Sequence, residues 1–139
     1  MNLGRFSLIF AAIAFFVYGA AFLFFPTLMT SLLGIELPVP SAIIDVRATY
    51  GGSVLGTAVF FALCSLRDEL LRPGLIAQVA VLGGFIFGRV MGFIVDREPN
   101  VFIYVLLVGE ILGLLIALIG LRSDVKNQQK FEPSAETVP

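Results

Sequence analysis

The sequence predicts an all-α fold: a four-helix transmembrane bundle, up-down, with a short interfacial helix between the first and second spans. Three observations predict it. The chain is 58% apolar and only 14% charged, with a mean hydropathy of +0.99, whereas soluble domains carry about 25% charged residues. Four apolar runs, 6–25, 43–66, 75–95 and 101–121, are each long enough to cross a hydrocarbon core about 30 Å thick. The basic residues Arg5, Arg67, Arg72, Arg122, Lys126 and Lys130 all fall on one side if the spans alternate, and the opposite connections hold Arg97 with Glu36, Asp96 and Glu98.

The first run follows Arg5, and Gly19-Ala20-Ala21 loosely fits a signal-peptide cleavage site. Because the run stays apolar to Phe25, longer than a signal core of about 7–15 residues, it is expected to be retained as the first span. The connection 26–42 has its own pattern. Pro26 starts a short helix over 27–33, Gly34 ends it, and Pro38 and Pro40 impose an extended return. The helix caps the bundle's outer mouth or lies among the headgroups.

The second connection, 67–74, reads as a charged turn closed by Pro73-Gly74, and the third, 96–100, as a tight turn containing Pro99. These short links make spans two, three and four antiparallel neighbours. Residues 1–121 form the membrane domain, and 122–139 are expected to be a polar, disordered tail, too poor in apolar residues to build a core. By the positive-inside rule both termini are cytoplasmic and the chain is a multi-pass protein of the cell's inner or plasma membrane.

Glycine spacing suggests helix contacts. Gly84, Gly88 and Gly92 recur every four residues, as do Gly52 with Gly56 and Gly109 with Gly113. Small-xxx-small steps let backbones approach, within one bundle or across a homodimer or larger membrane complex.

Function classes narrow by exclusion. No basic stripe exists to displace counterions from nucleic acid. There is no histidine and a single cysteine, Cys64, so the usual metal, haem and iron-sulfur ligand sets are missing, and no cofactor is expected. No phosphate-binding loop, dinucleotide or nucleophile-elbow motif occurs. Redox or hydrolytic catalysis by the chain alone is therefore not expected. The 14 phenylalanines read as lipid-facing and core filler rather than a stacking site.

What demands explanation is Glu110, a carboxylate inside the fourth run and about 15 Å from its start. Ionisable groups at that depth are costly and have partners. Arg89 and Tyr18 lie about 10 Å from the same side, and Arg47 and Tyr50 about 6–12 Å. Arg47 and Tyr50 are three apart and would share a helix face, as would Arg89 and Gln78. In the simplest arrangement Arg89 reaches Glu110, with Arg47 nearby and Asp45 at the rim.

Several readings remain open. The charges form an ion-pair network that sets helix register, or with the tyrosines they form the polar base of a pocket for an amphiphilic small molecule or lipid. In the latter, simple acid-base chemistry at Glu110 is conceivable. The chain could also be an accessory subunit of a membrane complex, or a proton-coupled transporter working as a dimer around Glu110.

The segments Arg47-Ala-Thr-Tyr50-Gly51-Gly52, Gly88-Arg89-Val-Met-Gly92 and Gly109-Glu110-Ile-Leu-Gly113 resemble a bacterial family of small four-span membrane proteins, a domain of unknown function similar in architecture to DoxX-like proteins. The resemblance runs from Leu8 to Leu121. It implies a four-helix membrane fold with the arginine-tyrosine-glycine segment as signature, and it implies no activity.

Overall fold

The computed structural model describes residues 3–97 and 99–131, with 124–131 described by backbone alone. Four of its helices are long and apolar enough to cross a membrane: Leu3–Phe24, Pro40–Leu66, Asp68–Val95 and Val101–Ser123. These are the first to fourth spans. The expected all-α, up-down bundle is what the chain forms, and no strand occurs among the described residues.

Neighbours follow chain order. The first span packs most extensively on the second and also on the fourth, the third packs on the second and fourth, and the first and third touch across the diagonal. The well-packed core lies toward the end of the bundle that carries Arg5 and the second connection. There Leu8, Ala11, Ala12, Phe61, Cys64, Leu71, Leu75 and Ala117 are buried together. Arg5 pairs with Asp68 at that end, tying the start of the first span to the start of the third.

The short helix, Pro26–Leu32, forms as expected, with proline in its first turn. Gly34 follows at φ +75°, its N–H bonding the Ser31 carbonyl and that of Ile35 the Thr30 carbonyl. This is a left-handed helix stop that glycine adopts without strain. Asn100 fastens the same end of the bundle. Its side-chain oxygen accepts the Ile103 N–H at 3.0 Å, capping the fourth span, while its amide donates to the Leu32 carbonyl at 2.9 Å. Arg97, at φ 61°, turns the chain just ahead of it.

Three expectations need correction. The second connection is not a turn from 67 to 74, because the third helix already begins at Asp68 and runs through Pro73. Asp68 and Glu69 favour a helix start in its first turn. Gly74 lets the helix pack where a Cβ would stand 2.5 Å from the Cβ of Cys64. Pro40 opens the second helix rather than prolonging the extended return. At the other end the fourth helix continues to Phe131 instead of giving way after Leu121. No proline or glycine interrupts the sequence between Gly120 and Pro133. The remainder of the expected tail, 132–139, lies outside the described residues.

The second span departs from α geometry at Arg47–Gly52, which is π-helical, between α-helical Pro40–Val46 and Ser53–Leu66. The wider turn replaces i to i+4 backbone bonds with i to i+5 ones, and hydroxyls add side-chain bonds to carbonyls four residues back. Thr49 donates to the Asp45 carbonyl at 2.7 Å, Ser53 to that of Thr49, and Thr57 to that of Ser53 at 2.9 Å. The π segment is held against the first span by a close backbone approach. A Cβ on Gly19 would lie 2.9 Å from the Leu55 nitrogen, and one on Gly51 would lie 3.0 Å from the Leu23 Cα.

Candidate functional site

Beyond the packed core the bundle is hollow. A cavity of about 620 Å³ occupies its middle and the half toward the short helix, and all four spans contribute to its wall. Its size falls within the range of small-molecule pockets. Most of the wall is apolar, including Phe10, Phe15, Leu82, Phe85 and Leu106. Tyr18, Tyr50, Gln78, Arg89 and Glu110 are its principal polar members.

Arg89 and Glu110 meet across the third and fourth spans. The Arg89 Nε donates to both carboxylate oxygens, at 3.0 and 2.9 Å, and its Nη2 donates to Oε1 at 2.9 Å. Their side chains retain 19% and 11% of their exposure. The match of planar fork to carboxylate makes this a strong, charge-assisted contact. Nη1 takes no part in the pair. The tyrosines are joined through Phe22: its ring lies 4.7 Å from that of Tyr18 and 5.3 Å from that of Tyr50, stacked on the latter. Phe22 is fully buried, so it sets both tyrosines from behind.

Gln78 lies on the same helix face as Arg89, three turns nearer the packed core, and is 1% exposed. Its side-chain oxygen accepts the Ser7 hydroxyl at 3.1 Å. A polar pair so buried needs its internal hydrogen bond, because burying polar groups without one is costly.

Of the six residues expected to form the site, four line the cavity: Tyr18, Tyr50, Arg89 and Glu110. Arg47 and Asp45 do not. Arg47 is exposed and donates through Nη1 to the Leu23 carbonyl in the last turn of the first span. There a cation satisfies an end carbonyl and complements the helix dipole. Asp45 is exposed and outside the wall. The error has a physical cause: a face shared by residues three apart assumes α geometry. In the π segment hydrogen bonds run i to i+5, each residue advances less around the axis, and Arg47 and Tyr50 diverge. Gln78, Thr49 and Ser53 were not anticipated as wall residues. Their signal was present, as polar residues in otherwise apolar runs.

Within the bundle, the glycines expected to make helix contacts mostly do not. A Cβ added to Gly56, Gly84, Gly88 or Gly109 would meet nothing within 4 Å. Gly52 and Gly92 would meet only an oxygen, at 3.8 and 3.7 Å, and Gly113 alone is close to a neighbouring span, 3.1 Å from a Leu82 methyl. Gly84, Gly88, Gly109 and Gly113 instead line the cavity, so missing side chains leave volume rather than let backbones touch. Close approach is made by Gly19, Gly51, Gly74 and Gly120, the last of which would place a Cβ 2.9 Å from the Gly4 Cα.

Among the described residues no cluster of potential metal ligands occurs. No curated protein and no solved structure matches the chain. A family model does, over residues 3–121, and the chain belongs to that family, described as Domain of unknown function (DUF4345).

Proposed function

We propose that this family member is a small multi-pass membrane protein that binds an amphiphilic small molecule or lipid, with the polar head at Arg89, Glu110 and the two tyrosines. The observation that carries the reading is a cavity walled by all four spans in which an arginine and a carboxylate stand among phenylalanine and leucine. Closely packed helices would exclude such a volume, and an ion pair serving only register would need no hollow beside it. The basic residues at the packed end favour cytoplasmic termini in the cell's inner or plasma membrane, with the hollow half facing outward.

The test is the mass of the folded protein released from detergent. A bound amphiphile is expected on the wild type and is lost from Arg89→Gln with Glu110→Gln, which keeps both side chains polar and removes both charges. A wild type that emerges bare, and takes up no lipid when offered total membrane extract, sinks the reading.

A second reading rests on the closure of the pair, whose three hydrogen bonds occupy both carboxylate oxygens. In it the pair is a register clamp between the third and fourth spans. Exchange of the two residues, Arg89→Glu with Glu110→Arg, separates the two. Restored folding together with unchanged lipid uptake favours the clamp, and restored folding without uptake favours the binding site.

A further inference from the structure

The wall of the cavity is not closed all round. The far part of the second span, Pro40–Gly52, packs on the first span and the short helix and has no packed interface with the third or fourth. The gap is bordered on the second span by Thr49, Tyr50 and Ser53, and on the third by Gly84, Phe85 and Gly88. Tyr50 is 41% exposed and Phe85 43% exposed, although both also line the cavity. At Gly84 and Gly88 an added Cβ would meet nothing within 4 Å, so the third helix presents a trough there rather than a contact. The cavity thus communicates sideways, toward the space that bilayer lipid occupies around a spanning bundle.

The polar groups restrict what can come through. Arg89 and Glu110 cancel each other, and both carboxylate oxygens accept from the guanidinium. An added anion would have to compete with Glu110 for Arg89, and an added cation with Arg89 for Glu110, either leaving a displaced charge poorly solvated. The Thr49 and Ser53 hydroxyls already donate to backbone carbonyls. The cavity-wall donors outside these bonds are Arg89 Nη1, the Gln78 amide and the hydroxyls of Tyr18 and Tyr50, which call for an acceptor such as an ester or ketone oxygen.

Resting on the binding function above, we infer that the ligand is an uncharged amphiphile with a carbonyl-bearing head. It reaches the cavity laterally between the second and third spans, and its apolar chain lies in the Gly84–Gly88 trough.

Monoolein, an uncharged ester of one acyl chain, is the probe, compared with oleate and oleylamine of the same chain length at equal concentration. Bound probe is counted by native mass spectrometry of detergent-solubilised full-length protein. Wild type is expected to take up monoolein at least about tenfold more tightly than either charged analogue. Gly88→Leu is expected to lose at least that factor with an unchanged melting temperature, since the added side chain enters open space. In case leucine disturbs folding, Ser53→Cys is treated with N-ethylmaleimide after folding. Modification should lower uptake at least about tenfold relative to the same Ser53→Cys protein left unmodified. Equal binding of oleate or oleylamine overturns the ligand class, and normal uptake by folded Gly88→Leu and by modified Ser53→Cys overturns the lateral route. If those blocked proteins bind while the Arg89→Gln, Glu110→Gln protein does not, the binding function stands and only the route fails. Wild type that binds none of the three probes overturns both.

Discussion

At the scale of single residues, Glu110 is largely buried and held by Arg89. Removing either member strands the other: Glu110→Ala leaves a largely buried guanidinium unpaired, a loss of about 3–5 kcal/mol for buried pairs. Glu110→Ala and Arg89→Ala are each expected to lower the melting temperature sharply, while Arg89→Leu with Glu110→Leu regains most of it. Thermal unfolding of the four proteins in detergent checks this, and a double variant as unstable as the singles would contradict it. The pair itself was legible in the sequence. Two ionisable residues at matching depth in adjacent antiparallel helices have few other partners, whereas the neighbourhood of Arg47 depended on a local helix geometry that residue spacing does not encode.

At the scale of elements, glycines in the spans do opposite things. Gly19 and Gly51 sit where a side chain would drive into the backbone of the neighbouring helix, so Gly19→Leu and Gly51→Leu should prevent stable folding. Gly84→Ala and Gly109→Ala face open space and should be neutral or stabilising, by up to about 1 kcal/mol from helix propensity. Expression and melting temperature of the four variants measure the contrast. An i, i+4 pair of small residues permits close approach or leaves a void, and only the opposing helix decides which, so sequence spacing alone read the trough as an interface. The Asn100 tie is a smaller matter of the same scale. Asn100→Ala removes a helix cap, worth about 1 kcal/mol, and the link to Leu32, and should lower the melting temperature by a few degrees.

At the scale of the whole molecule, the four spans and their up-down order were legible because length, apolarity and short links leave little alternative. The split into a packed end and a hollow end was not. It depends on where the core side chains Leu8, Phe61 and Leu75 converge and where glycines face inward, which is a property of the assembled bundle. Orientation in the membrane gives a prediction at this scale. A cysteine at position 100, by Asn100→Cys, should react with a membrane-impermeant thiol reagent added to intact cells. Labelling only after the cells are opened would invert the topology inferred from Arg5, Arg67 and Arg122.

The close seat of Cys64 against Gly74 makes such measurements simpler than they would be for most chains. The thiol is 1% exposed, in the core where the first three spans meet, and it is the only one in the sequence. A maleimide dye should pass over it in the folded protein and attach once the bundle opens. The unaltered chain therefore carries its own unfolding sensor, and a cysteine introduced at the surface or in the cavity wall can be labelled against a silent background.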